Sequence, residues 1–372
     1  MTTQIKTFFI GLLMVGTFAT NANNKPKSNK QFIKVALLLD TSNSMDGLID
    51  QAKAQLWEIV NELSYAKCEG ERPNLQIAIY EYGNDRLNSD EGYIRQVIGF
   101  SEDLDDISKE LFSLTTNGGN EYCGQVIQTS LNQLKWGNNP DDLKLIFIAG
   151  NEPFNQGYLS YKHAAVNANE KDVTVNTIFC GDYYDGISTY WKEGADLTKG
   201  DYMAINHNKA TVHIASPYDD AILKLNKKLN GTYVMYGNKG REKMQLQAEQ
   251  DDKAKDYSKA NAVGRTVSKS SHLYKNSSWD LVDAVEQEEV VIEKLKPSEL
   301  PDELKGKSSE EVKAYLEKKQ KERDAINKEI QELNSKRKAY IAEKQKDTKN
   351  GLENAMIKAI KTQAKKKNYQ WN

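Results

Sequence analysis

Cysteine is scarce: the chain of 372 residues has three, and no two of them stand as Cys-x-x-Cys. The four histidines, His163, His207, His213 and His272, are equally scattered, so the ligand spacing of a zinc site is missing. Neither sign of charge dominates, with 51 basic against 53 acidic residues and a net charge of -2. That balance supplies no long-range pull toward nucleic acid. No apolar run reaches the ~20 residues that a membrane-spanning helix needs. Also missing are Gly-x-Ser-x-Gly, His-Glu-x-x-His and a phosphate-cradling glycine loop, and Ser44 has no histidine near it in sequence. No catalytic constellation is assembled, so a binding or structural role is expected rather than an enzymatic one.

What is present begins with Lys6, the short apolar run from Phe8 to Phe18 and the small residues Ala19-Thr20-Asn21-Ala22, the pattern of a cleaved secretory signal over residues 1–22. The mature protein is then expected to be exported, with the periplasm or cell envelope as the first expectation and the extracellular space as the second. From residue 31 to 235 strand and helix patterns alternate. Ile33 to Leu39 is a near-continuous apolar run, as in a strand buried on both faces. Further strands are predicted at Leu75–Tyr80, Tyr93–Phe100, Leu143–Ala149, Val173–Phe179 and Asp201–Asn206, the first two of these closing a hairpin. Such alternation predicts an α/β fold: a doubly wound, mainly parallel sheet with helices on both faces.

Residues 236–296 lose this rhythm and read as a helical extension that packs on or near the α/β domain. Residues 297–372 read as one long charged helix and a basic tail. Val312, Leu316, Ile326, Ile330, Leu333 and Tyr340 recur at helical spacing, while Lys319, Arg323 and Arg337 occupy seam positions between them. Charges in the seam make a weak coiled coil. A solvated or partner-docking helix is therefore expected, followed by a mobile tail carrying Lys358, Lys361, Lys365, Lys366 and Lys367. The pattern leaves the oligomeric state open.

One short stretch carries chemistry. Asp40-Thr41-Ser42-Asn43-Ser44 falls where the first buried strand ends and the first helix begins, the crevice end at which open α/β sheets bind ligands. Ser and Asp before a helix are also capping residues, so the same stretch fits a capped turn. Three oxygen side chains spaced by two, Asp40, Ser42 and Ser44, can instead point at one centre and offer the hard ligands that Mg²⁺ prefers, with Mn²⁺ or Ca²⁺ as substitutes. With the strand before it and the helix after it, this motif resembles the metal-ion-dependent adhesion site of von Willebrand factor type A domains. The stretches YEYGND, GGNEYCGQVI, FIAGNEPFNQG and SSWDLVDA extend the resemblance toward a group of exported bacterial proteins with this domain.

The resemblance implies a six-stranded sheet, a Mg²⁺ held at its top face, and a protein ligand whose acidic residue completes the metal sphere. It implies adhesion rather than catalysis. Two departures stand out. The family usually supplies a Thr after a Gly-Gly, whereas here Gly118-Gly119 is followed by Asn120-Glu121; it usually ends the fourth strand in Asp-Gly, whereas here Gly150 is followed by Asn151-Glu152. Asn120 or Glu121, and Asn151 or Glu152, can supply oxygens instead. The expected metal set is Asp40, Ser42 and Ser44, with Asn120 and Glu152 as partners.

Cys180 follows the fifth strand and Cys123 follows the Gly-Gly loop, both near the same end of the sheet, so a Cys123–Cys180 disulfide is expected, with Cys68 free at the opposite end. The functional expectation is an exported, divalent-metal-dependent protein-binding module. The alternative is a structural or assembly component with a degenerate metal site that acts through its C-terminal helix.

Overall fold

The computed structural model describes residues 31–209, 213–344 and 352–371. The secretory-signal pattern over residues 1–22 lies outside them. In chain order the strands are β1 (Phe32–Asp40), β2 (Ala66–Cys68), β3 (Asn74–Tyr82), β4 (Ile94–Ser101), β5 (Leu143–Gly150), β6 (Thr174–Cys180), β7 (Tyr202–Ile205) and β8 (Tyr369–Trp371). The helices are α1 (Asp46–Leu63), α2 (Leu104–Ser113), α3 (Cys123–Gln133), α4 (Tyr161–Glu170), α5 (Tyr183–Ser188), α6 (Trp191–Asp196), α7 (Asp219–Asn230), α8 (Gly240–Tyr257), α9 (Lys259–Lys269), α10 (Leu281–Glu286), α11 (Ser309–Lys344) and α12 (Leu352–Lys365).

Six strands form one sheet in the order β4-β3-β1-β5-β6-β7. All neighbours run parallel except β3 and β4, which are joined as the antiparallel hairpin that the Gly-Asn-Asp turn predicts. The central strand β1 is buried from Ile33 to Asp40, because helices cover both faces. Alternate β1 residues feed two cores. Val35, Leu37 and Leu39 pack with α1, α2, α7 and α9 on one face, while Ala36 and Leu38 pack with α3 and α4 on the other.

The C-terminal third departs from the sequence expectation. The helix α11 is not a solvated rod: it packs on α7, α9 and α10 of its own chain. Its apolar positions Val312, Leu316 and Ile330 are buried, and so are two of its seam cations, Arg323 and Arg337. Arg323 sits 4.4 Å from the Tyr233 ring and donates to Asp280 Oδ2 at 2.7 Å, to Thr232 O at 2.8 Å and to Asp283. Arg337 bonds Asp219 Oδ1 at 3.2 Å, and Lys319 donates to Gly231 O at 2.7 Å. The charges that spoil a coiled coil are the pegs that seat the helix on its own domain.

The basic tail is likewise ordered. It forms α12, which lies against α1 with Leu352, Met356, Ala359 and Ile360 in the main core. It then forms β8, paired antiparallel with β2. Two of its lysines form ion pairs: Lys361 pairs with Glu62, and Lys367 pairs with Asp172 at 2.6 Å while also donating to Pro140 O and Asp142 O. An apolar stripe at i, i+4, i+7 and i+8 buries this segment, and lysine-rich composition masks it.

Candidate functional site

Asp40 is the last residue of β1 and has no exposed surface. The chain then turns sharply: Ser42 N donates to Asp40 Oδ1 at 2.7 Å, and a single 3-10 turn (Asn43–Met45) leads into α1. Ser42 occupies the N-cap position of that turn, yet its side chain makes no capping hydrogen bond. The hydroxyls of Ser42 and Ser44 face each other instead, 3.3 Å apart. Between them the buried Thr41 hydroxyl serves the scaffold, reaching Glu81 Oε2 and Tyr82 O at 3.3 and 3.2 Å.

Three loops meet over this turn, and glycine lets them close. Gly83, at φ 78°, leaves no room for a side chain: a Cβ there would lie 2.7 Å from Glu121 Cγ and 2.8 Å from Asp40 Oδ1. At Gly150 it would lie 2.6 Å from the Tyr82 hydroxyl and 3.0 Å from Asp40 Oδ2. A cradle of this kind has space only for what the carboxyls themselves hold.

The second carboxyl in the cradle is Glu121, 4% exposed, from the loop that follows Gly118-Gly119. It comes close enough to Asp40 to share a hydrogen bond with it, and to reach Ser42. Burial pushes both carboxyls above the usual carboxylate range, Glu121 further because Asp40 faces it. Each still leaves one buried oxygen, Asp40 Oδ2 and Glu121 Oε2, with no protein donor. Two buried carboxyls face to face with spare oxygens require a proton or a cation between them. From the end of β5 comes Asn151, whose Nδ2 donates to Ser44 Oγ at 3.2 Å while its Oδ1 is buried and unpartnered.

The structure therefore brings together Asp40, Ser42 and Ser44 and joins to them Glu121 and Asn151, where the expected partners were Asn120 and Glu152. Asn120 is exposed. Glu152 is exposed too, and its carboxylate accepts from Gln156 at 3.1 Å. Its charge reaches Asp40 and Glu121 only at a distance. Register decides both: the residue beside each expected ligand is the one turned inward. The expected Cys123–Cys180 bridge is not formed, and Cys68, Cys123 and Cys180 are free and buried. Cys123 packs on the α3 face of the sheet, its sulfur 3.8 Å from the Tyr82 hydroxyl, whereas Cys180 packs on the α1 face. The sheet lies between them.

Among the described residues no group of three or more His, Cys, Asp or Glu side chains is placed to hold a metal. The cluster here is of another composition: two carboxyls, two hydroxyls and an amide, all hard oxygens suited to Mg²⁺ rather than to zinc.

An open, mainly parallel sheet with an oxygen-lined cradle beyond the carboxyl ends of its central strands defines a ligand-binding α/β domain of the doubly wound class. Residues 34–189 match the family model of the von Willebrand factor type A domain. Solved structures that align with the chain include BatB from Bacteroides thetaiotaomicron, at 17% identity and TM-score 0.36 over 46% of this chain and 90% of that one. The SpRpn10 VWA domain aligns at 16% identity and TM-score 0.34, over 46% and 87% of the two chains. An aerotolerance-related membrane protein from Bacteroides fragilis aligns at 15% identity and TM-score 0.32, over 47% and 93%. No curated protein matches the chain. A domain of this family points to protein interaction, and among the described residues no helix is long and apolar enough to cross a membrane.

Proposed function

We propose that the protein is an exported, divalent-metal-dependent protein-binding module whose ion is held by Asp40, Ser42, Ser44 and Glu121, with Asn151 behind Ser44. The observation that carries this reading is the pair of buried carboxyls whose spare oxygens, Asp40 Oδ2 and Glu121 Oε2, lack any protein donor. A bound Mg²⁺, or Mn²⁺ or Ca²⁺ in its place, would supply a positive centre to which an acidic side chain of a protein partner can add. Two direct carboxylates neutralise a divalent ion, so Glu121 weakens that attraction relative to a site with a hydroxyl in its place. The pull on a partner then depends on contacts around the site as well as on the ion.

The alternative, a structural component that reaches a partner through its C-terminal helix, has less to work with. The buried apolar positions of α11 are spent within its own chain, Ile330 in the core shared with α7 and α9 and Val312 and Leu316 in a cluster with α10.

Thermal melts with and without millimolar Mg²⁺ test the proposal. An ion at ~100 times its dissociation constant adds about 2.7 kcal/mol to stability, a shift of several degrees. The shift is expected in the wild type and absent in Asp40→Ala. No shift with Mg²⁺, Mn²⁺ or Ca²⁺ would sink the metal-dependent reading.

A further inference from the structure

Beside the cradle lies a groove of about 560 Å³, bounded by the β3–β4 loop, the first residues of β4 and the outer face of α3. Its size is that of a ligand cleft, typically ~300 to 1,000 Å³. Leu87 and Ile94 are its apolar lining, and amides and guanidinium groups make up most of the rest, with Glu91 and Thr129. It is continuous with the cradle through the chain itself. Gly83, packed over Asp40 and Glu121, leads to Asn84, whose Oδ1 accepts from Arg86 N at 3.1 Å, and Glu121 leads into α3 and Gln125.

Three features of the groove are unspent. Gln125 donates to Glu91 O at 3.3 Å and to the Tyr158 hydroxyl at 2.5 Å, but its Oε1 is buried with no donor. The exposed Arg86 has no ion pair among the described residues. Arg95 binds Glu81 through Nε at 2.5 Å, and its side chain remains 53% exposed, which leaves its terminal nitrogens facing outward. Glu91 is the only acid among the lining residues. Two guanidinium groups on a rim that holds a single acid want carboxylates.

The groove also follows β4, an end strand of the sheet that among the described residues pairs with β3 alone. Extended chains dock along such edges, with side-chain pockets giving selectivity. Tyr158, 74% exposed and tied to Gln125, stands at the rim as an aromatic surface for an incoming chain.

We infer that this groove is the selectivity subsite of the metal face and receives an extended acidic segment of a partner protein, with Arg86 and Arg95 reading its carboxylates. The inference rests on the proposed metal-dependent binding of the neighbouring cradle for its biological setting. The groove's own chemistry does not involve the ion.

The probe is a fluorescein-labelled peptide of alternating Glu and Ser, with its Gln-Ser counterpart as control. Binding to the full chain is followed by anisotropy in Mg²⁺ and in EDTA. The Glu peptide is expected to bind saturably and the Gln peptide not. Arg86→Ala and Arg86→Glu should each weaken binding about tenfold or more, the loss expected for one charge-assisted hydrogen bond. Far-UV circular dichroism and the melting temperature of both variants should match the wild type, since Arg86 is exposed. Binding that is unchanged in both variants, equal binding of the two peptides, or no saturable binding of the Glu peptide overturns the inference. If the metal proposal alone fails, the Mg²⁺-dependent melting shift is absent while the Glu peptide still binds and the Arg86 variants still weaken it; if the groove alone fails, the melting shift persists while the Arg86 variants have no effect.

Discussion

Asp40 and Glu121 oppose each other inside the protein, and the balance between them sets what the site does. With no cation, the buried pair must keep a proton or bear two like charges, so it strains the domain that holds it. Glu121→Gln relieves that repulsion while keeping the shape. The variant is expected to melt higher than the wild type without metal and to show a smaller Mg²⁺ shift, read by scanning calorimetry at neutral pH. A lower metal-free melting temperature in Glu121→Gln would mean that the carboxyl is a structural partner and not an idle ligand. Ser42 belongs to the same argument: an N-cap serine whose hydroxyl turns to Ser44 instead of capping the turn is a side chain kept for another use.

At the scale of elements, the C-terminal helices are fastened to the α/β domain by buried charge. Arg323 with Asp280 and Asp283 is one station, and Arg265 with Asp105 and Asp251 is another, its guanidinium 5.1 Å from the Trp57 ring. Such stations add little net energy but punish misplacement, so they choose a unique docking geometry for helices whose apolar stripes are thin. The seam of α12 on α1 is more sensitive. Glu353 N donates to Gln55 Oε1 at 2.5 Å, and burial together with Glu58 and Glu62 pushes the Glu353 carboxyl up to about 7 against the pull of Lys338 and Arg337. The folded carboxyl keeps its proton to about pH 7, whereas the unfolded one releases it near 4.5, so stability falls as pH rises between those values. The loss is about 2 to 3 kcal/mol. Glu353→Gln should remove it: urea midpoints of wild type and variant should agree near pH 4.5 and separate above pH 7, with the variant the more stable. Parallel pH profiles would refute the assignment.

For the whole molecule, the described residues from 31 onward make one unit, because the same core runs from β1 through Trp279 and Ile330 to Ile360. Residues 297–372 are thus not an appendage. Removing α12 and β8 strips Leu352, Met356 and Ile360 from that core, and three such side chains contribute about 5 to 9 kcal/mol. This is comparable to the ~5 to 15 kcal/mol that holds a typical domain together. A chain ended after Lys344 is expected to be poorly soluble, to bind an apolar dye, and to lose most of its cooperative melting. A soluble product with a wild-type melting temperature would mean that α12 is dispensable.

Much of this was legible in the sequence. The near-continuous apolar runs and helical spacings located every strand of the main sheet, and Asp40-Thr41-Ser42-Asn43-Ser44 located the turn, because each depends on residues adjacent in the chain. What local pattern could not supply was which neighbour turns inward. Asn120 or Glu121, and Asn151 or Glu152, differ by one residue, and only the packing of Gly83 and Gly150 against Asp40 decides between them. The same holds for the cysteines, near one end of the sheet yet on opposite faces. It holds also for Arg323 and Arg337, which read as solvated charges until the acids that meet them, Asp280, Asp283 and Asp219, are brought from other parts of the chain. Periodicity is a property of a segment. Charge pairing, the facing of the carboxyls and the burial of a lysine-rich tail are properties of segments brought together, and tertiary structure alone decided them.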